Sequence, residues 1–131
     1  MVGPDRDPQT HIAAMVEAAR KVERFLDGVS EEAFHSDAKV QAVVAMMLLV
    51  IGEHANKMLR DHPEITQRAS TVPWIKMRGM RNIIAHASGQ VDIAAVWQTA
   101  STELPAAAAA LRQIAVAGPA DNPSGPAPPS A

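Results

Sequence analysis

Residues 37–60 read DAKVQAVVAMMLLVIGEHANKMLR. Asp37 is a good helix cap, because its carboxylate can accept hydrogen bonds from the first free backbone N–H groups. A helix as apolar as this one lies at the centre of a bundle or faces a partner chain. The stretch therefore predicts an all-α fold built around this helix. Its apolar residues recur at helical spacing and wrap more than half of the surface: Val40, Val43, Val44, Met47, Leu48, Ile51, Ala55 and Met58.

Two helical segments are predicted before the central helix. The first covers residues 8–27, with Asp7 as its cap and Gly28 as its C-terminal stop. Ser30 and the two glutamates after it begin a short helical turn. The first helix has one apolar stripe at i, i+3 and i+4 spacing, made of Ile12, Met15, Ala19, Val22 and Leu26.

Three further helical segments are predicted after the central helix. Pro63 opens a short turn, and a major helix runs from residues 70–73 to about His86. The last helix is capped by Asp92 and contains Pro105, which predicts a kink or a break. Strand-like alternation is absent from the sequence. We therefore expect an up-and-down bundle of four to five helices.

The length and composition indicate one domain with tails. We expect a flexible leader at residues 1–7, a helical domain at 8–117 and a disordered tail rich in proline and alanine at 118–131. The chain has no cysteine, which excludes disulfides and thiolate zinc sites and suits a cytoplasmic location. We expect no membrane attachment, because the longest apolar run, at 42–52, is too short to span a bilayer.

Basic residues are concentrated in one segment. Residues 65–91 contain no acidic side chain but carry Arg68, Lys76, Arg78 and Arg81, so this segment is locally at +4 in a chain of net charge −2. A basic segment in a mildly acidic protein favours an anionic ligand.

The same segment ends with Arg81, Asn82 and His86. An arginine can hold a phosphate, a histidine can move a proton near neutral pH, and an amide can orient either group. On an ideal α-helix Arg78, Asn82 and His86 form one row, with Arg81 beside it. Solvated side chains on an exposed helix give the same pattern, so the spacing alone leaves both interpretations open.

Other polar residues carry weaker signals. Glu53 interrupts an apolar helix, where it either pairs with an arginine of the third major helix or is exposed at the helix edge. His11, His35 and His62 lack the spacing of metal ligands and are interpreted as surface or capping residues. We expect no metal site and no cofactor.

Many short motifs in sequence order resemble the HEPN superfamily, specifically the HepT-like toxin ribonucleases of bacterial toxin–antitoxin pairs. The resemblance covers residues 7–114, most of the chain. The motifs that carry it are His11-Ile12, Met15 to Ala19, Phe25 to Gly28, Gln41 to Val43, Ile51-Gly52-Glu53, His62 to Ile65, Pro73-Trp74, Gly79 to Asn82, His86, Val91-Asp92, Val96-Trp97 and Leu104-Pro105.

The resemblance implies a homodimeric helical bundle with a composite, metal-independent ribonuclease site. In the family the Arg-x4-6-His motifs of two chains meet in a cleft, which maps here to Arg81 and His86 as catalytic residues, with Asn82 beside them. The implied partners are RNA and a minimal nucleotidyltransferase (MNT-type) antitoxin. Around this motif the predicted substrate-binding residues are Lys76, Arg78, Ser88 and Glu53.

One position departs from the family pattern. The family motif ends in His-x-Tyr, and the tyrosine can be modified with AMP by the antitoxin; here Ser88 takes its place and the chain has no tyrosine. Ser88 is then an alternative modification site, or the antitoxin acts by occlusion, or the nuclease is weakened. The second hypothesis is therefore a dimer that binds RNA, nucleotide or antitoxin without cleaving, and the third is a purely structural dimer.

Overall fold

Helix α1 starts at Pro8 and ends at Leu26, as its flanking residues predict. The computed structural model describes residues 7–83 and 91–117, so the predicted leader, apart from Asp7, and the predicted tail lie outside the described residues. The Asp7 carboxylate accepts a hydrogen bond of 2.9 Å from the Gln9 amide. Gly28 has a φ of 74°, a left-handed conformation that favours glycine and turns the chain after α1.

Helices α2 (Glu31–His35) and α3 (Ala38–Asp61) follow with side-chain caps of the same kind. The Ser30 hydroxyl accepts the Ala33 amide at 3.1 Å, and the Asp37 carboxylate accepts two amides at the start of α3. Helix α3 packs against helices that precede and follow it in the chain, which confirms it as the central helix, and one of its sides is buried. Its buried residues are Val44, Ala45, Leu48, Ile51, Gly52, Ala55 and Met58.

The later helices pack around α3 and α1. His11 at the start of α1 contacts His54 near the end of α3, so the two helices run antiparallel. The core between the helices is almost wholly aliphatic, apart from Phe34 and Trp74, which suits a chain with 3% aromatic residues. No strand occurs among residues 7–83 and 91–117, and the predicted all-α fold is confirmed.

The third major helix differs from its prediction. After α4 (Pro63–Arg68), helix α5 covers only Trp74–Gly79, and the chain then tightens into a 3₁₀ turn at Met80–Ile83, which we name the tight turn. An α-helix through residue 83 was therefore the wrong expectation. The part of the prediction from residue 84 to His86 lies outside the described residues.

The last helical rod contains a wide turn before its proline. Helix α6 (Ile93–Gln98) passes through a π-helical turn at Thr99–Glu103, which we name the wide turn, into helix α7 (Leu104–Ala117). The Leu104 amide bonds to the Thr99 carbonyl, five residues back, and the Ser101 hydroxyl donates to the Trp97 carbonyl at 2.6 Å. The predicted disturbance at Pro105 is thus a widened turn inside a continuous rod.

Helix α3 is long and apolar enough to cross a membrane, judged by length and composition alone. The core helix of a soluble protein meets the same criteria, and 33% of the qualifying window is buried inside this fold. The uninterrupted apolar run at 42–52 is shorter than a span, so only the whole helix satisfies the length requirement.

Candidate active site

A glycine of the central helix allows the tight turn to approach. A Cβ atom added to Gly52 would lie 2.6 Å from the Arg81 backbone nitrogen and 2.7 Å from the Arg81 Cβ. Real side chains do not tolerate such distances, so the turn sits against α3 only because Gly52 has no side chain. The helix therefore fixes the backbone from which Arg81 projects.

The neighbour of Gly52 then meets the Arg81 side chain. The Glu53 carboxylate lies 3.6 Å from the Arg81 guanidinium, and the two side chains are 48% and 34% exposed. Of the two alternatives for Glu53, exposure at the helix edge and pairing with an arginine, both apply, because the half-exposed side chain also faces Arg81. A pair this exposed contributes about 0–1 kcal/mol, so an incoming phosphate can compete with Glu53 for Arg81.

The remaining predicted site residues fall into two groups. Lys76 and Asn82 are exposed and Arg78 is half-buried, all on α5 or the tight turn. A 3₁₀ turn advances about 120° per residue instead of 100°, so the ideal row through Arg78 and Asn82 does not continue across it. His86 and Ser88 lie outside the described residues.

Two histidines, His11 and His54, that the sequence was interpreted as placing at the surface form a contact inside the fold. His11 is only 1% exposed, so its interpretation as a surface residue was wrong. Its Nδ1 lies 2.8 Å from Nδ1 of half-buried His54, across the α1–α3 interface. Burial, reinforced by His11 and Lys57, lowers the pKa of His54, while Glu53 opposes the shift.

Sequence reasoning missed Gly52 and His11 as determinants of this region. In both cases the partner is distant in sequence, 29 residues for the Gly52–Arg81 contact and 43 for the His11–His54 contact. The motif at residues 51–53 was a signal for Gly52, but it did not identify the partner. Within the described ranges, no three histidine or acidic side chains are grouped to hold a metal ion.

Comparison with known proteins agrees with this architecture. The family described as "Ribonuclease HepT-like" matches residues 15–114. The chain is 31% identical to "Probable ribonuclease HepT" of Thermococcus cleftensis over 104 residues, covering 76% of this chain and 88% of that protein. It is 28% identical to "Putative RNase MJ1216" of Methanocaldococcus jannaschii, covering 78% and 82%.

A third relative, "Putative RNase TTE0752" of Caldanaerobacter subterraneus, is 24% identical over 76% of this chain and 87% of its own length. No solved structure gives a significant match. The family match spans α1 to α7 and includes the tight turn with Arg81. The chain therefore belongs to the ribonuclease HepT-like family.

Proposed function

We propose that this protein is a metal-independent endoribonuclease toxin of a type II-like toxin–antitoxin system, with Arg81 and His86 as its catalytic residues. The observation that carries the proposal is the tight turn, which holds Arg81 against Gly52 and Glu53 with a third of its side chain open to solvent. The ribonuclease names of its relatives support the same reaction class.

The chemistry requires no group beyond the protein and the RNA. The 2′-hydroxyl of RNA is the nucleophile, and His86 removes or returns a proton. Arg81 binds the scissile phosphate through its planar fork and stabilises the extra charge of the transition state. Asn82, the next residue on the tight turn, orients the phosphate or the histidine. Lys76, Arg78 and Ser88 are proposed to contact the RNA around them.

The exposed side of α3 supports a homodimer. Ala42, Met46, Leu49 and Glu53 fall within about 60° of each other around the helix axis, opposite its buried side. Met46 is 52% exposed and Ala42, one turn before it, is exposed as well, so this side of the helix presents an open apolar patch. Because this apolar stripe leads to Glu53, which faces Arg81, pairing of two copies along it would bring two Arg81 side chains toward one shared cleft.

The proposed partner is an MNT-type nucleotidyltransferase antitoxin. Since Ser88 replaces the family tyrosine, the antitoxin acts either by transferring AMP to the Ser88 hydroxyl or by covering the cleft. Mass spectrometry of the chain after incubation with the antitoxin and ATP distinguishes these two modes. An added AMP on Ser88 supports modification, and inhibition without added mass supports occlusion.

A second candidate function is a binding module that holds RNA, nucleotide or antitoxin without cleavage. The observation that favours it is the loss of the tyrosine at position 88. This candidate predicts stoichiometric binding of RNA that stays intact over long incubation.

One experiment separates the two functions. Purified protein is incubated with mixed RNA in EDTA beside the His86→Ala variant, and the ends of any fragments are analysed. Fragments that end in 2′,3′-cyclic phosphate and are absent with His86→Ala support the nuclease. Intact RNA with a folded dimer supports the binding module, and cleavage that requires added metal and ignores His86 contradicts the proposed site.

A further inference from the structure

A small cleft lies between the tight turn and the wide turn. It has a volume of about 220 Å³ and is lined by Lys76, Gly79, Met80, Ile83, Thr99 and Glu103. Pockets for drug-sized ligands start at about 300 Å³, so this cleft suits a smaller group, about the size of one nucleobase. Two of these residues, Met80 and Ile83, belong to the tight turn that also carries Arg81.

The two sides of the cleft bring opposite charges to it, since α5, which leads into the tight turn, carries Lys76 and the wide turn carries Glu103. Lys76 on α5 donates hydrogen bonds only, and the Glu103 carboxylate on the wide turn accepts only. Within residues 7–83 and 91–117, neither side chain takes part in an ion pair of 4.0 Å or less. Both groups are therefore available to a ligand that carries donors and an acceptor on one edge.

The backbone of the wide turn determines where Glu103 stands. Thr99, at the start of this turn, is only 6% exposed, so the turn is anchored in the core. Glu103, its last residue, is half-buried and lines the cleft. Single π-turns inside α-helices occur frequently at functional sites, and here the turn supplies two of the residues that line the cleft.

The chemistry of the lining selects one base. Guanine is the RNA base whose Watson–Crick edge carries two adjacent donors, N1–H and N2–H, which match the two oxygens of a carboxylate. Its O6 acceptor, next to these donors, suits the Lys76 ammonium. Apolar atoms of half-buried Ile83 are available to the face of the ring. Single-stranded RNA is read by proteins through unstacked bases held in this way.

We propose that the cleft binds a guanine base next to the scissile phosphate, with Glu103 reading its N1–H and N2–H donors and Lys76 its O6. This inference rests on the proposed ribonuclease function, because it assigns the base preference of that same site. It makes Glu103 a specificity-determining residue and restricts the substrate to single-stranded RNA, since the cleft has no room for a base pair.

The test measures binding without cleavage. Fluorescein-labelled 2′-O-methyl heptauridylate with guanosine, inosine or adenosine at its centre cannot be cut, because its 2′-oxygens are blocked. The oligomers are titrated against the His86→Ala protein and followed by fluorescence anisotropy. Inosine lacks only the N2 amino group, so it should bind about tenfold more weakly than guanosine, the loss expected for a hydrogen bond to a charged acceptor.

Three variants in the same background test which residue carries the preference. Glu103→Gln should abolish the difference between guanosine and inosine, whereas Glu64→Gln, which removes an exposed carboxylate of α4, should keep it. Lys76→Gln should weaken guanosine and inosine binding alike and preserve their ratio, because both bases carry O6. Circular dichroism checks that each variant is folded. If Glu103→Gln fails to fold, Lys76→Gln still tests the site, because adenosine carries an amino group in place of O6 and its binding should weaken less than that of guanosine.

The outcomes separate this inference from the proposed function. Equal binding of the three oligomers, or a preference that survives Glu103→Gln, overturns the guanine site even if the wild-type protein cleaves RNA. A guanine preference that depends on Glu103 supports the site even if the wild-type protein leaves RNA intact, in which case only the nuclease proposal fails.

Discussion

The tight turn and the wide turn depart from α-helical geometry in opposite directions, since the first has fewer residues per turn than an α-helix and the second has more. They also differ in the contacts that accompany them. The tight turn at Met80–Ile83 follows from a tertiary contact, because Gly52 on α3 lets the Arg81 backbone come within van der Waals distance. The wide turn at Thr99–Glu103 ends two residues before Pro105, which lacks a backbone N–H and whose ring clashes with the fourth carbonyl back in an α-helix.

The wide turn also aligns the buried side of its rod. On an uninterrupted α-helix, the buried residues of the second half of the rod would be rotated about the helix axis by roughly 80° from those of the first half. One extra residue in the wide turn removes most of that rotation, so both halves of the rod face the core. In the first half of the rod, up to Ala100, the buried residues are Val96, Thr99 and Ala100. In the second half, from Leu104 onward, they are Leu104, Ala107, Ala108 and Leu111.

The largest effect is expected from adding a methyl group to the glycine behind the tight turn. Gly52→Ala should force the turn away from α3, because the new Cβ would lie 2.6 Å from a backbone nitrogen. We expect a loss of about 1–3 kcal/mol in the free energy of unfolding, typical of overpacking. RNA cleavage should fall by about 100-fold, because small displacements of a positioning group have this effect.

Gly79→Ala is the matched control for stability. Nothing lies within 4 Å of a Cβ added there, and the residue ends α5, so the free energy of unfolding should stay the same or rise by up to about 1 kcal/mol. Urea denaturation measures both variants. Equal stability of Gly52→Ala and the wild type, with full cleavage, would show that the close contact does not position Arg81.

The next effect, on stability without the loss of cleavage expected for Gly52→Ala, should come from removing the extra residue of the wide turn. Deletion of exposed Thr102 keeps the alignment of α7 but places the ring of Pro105 in a regular α-helix, which costs about 3 kcal/mol. Combining the deletion with Pro105→Ala should recover most of that loss. Urea denaturation of the single deletion, the single substitution and the double variant gives the coupling between the two changes.

A deletion that costs nothing, or a double variant as unstable as the single deletion, would mean that Pro105 does not cause the wide turn. The wide turn would then have no cause in its own stretch of sequence. The tight turn would be unaffected by this result, because α3 rather than α7 provides its contact.

The smallest expected effect concerns the α1–α3 interface behind the tight turn. Because the pKa of His54 is lowered in the folded state, the unfolded chain binds the proton more readily. Stability should be complete above about pH 6.5 and should decline as the pH falls below that value. The decline should stay below about 1 kcal/mol, because His54 is only half-buried.

Urea midpoints between pH 7.5 and 5.5 test this pH dependence. His54→Gln should flatten the decline, whereas His35→Gln, at an exposed position on α2, should leave it as in the wild type. An equal slope in the wild type and His54→Gln would assign the pH dependence to other groups.

The sequence predicted the features whose causes are local. Each residue expected to mark a helix start accepts a hydrogen bond from a backbone amide in the first turn of its helix. These residues are Asp7, Ser30, Asp37 and Asp92. The position of the disturbance near Pro105 was also predictable, because proline acts on its own helix. Arg81 and Asn82 were proposed as site residues from their residue types and from the family resemblance, and their roles stay a prediction.

The rest depended on contacts between distant residues. Nothing near Met80 signals a 3₁₀ turn, and the close approach of that turn to α3 depends on a missing side chain on another helix. His11 was misplaced for the same reason, since the residue that meets it belongs to α3. The Glu53–Arg81 approach was one of two alternatives, and only the relative position of the two helices makes it a contact.

The most direct test of the central claim compares two arginines of the same basic segment. Cleavage of one RNA in EDTA is measured at single turnover for the wild type, Arg81→Ala and Arg68→Ala, which removes the same charge from an exposed position on α4. We predict a loss of about 100-fold or more for Arg81→Ala and less than about threefold for Arg68→Ala. Equal losses for the two variants would contradict the account, because a general electrostatic field rather than the tight turn would then carry the activity.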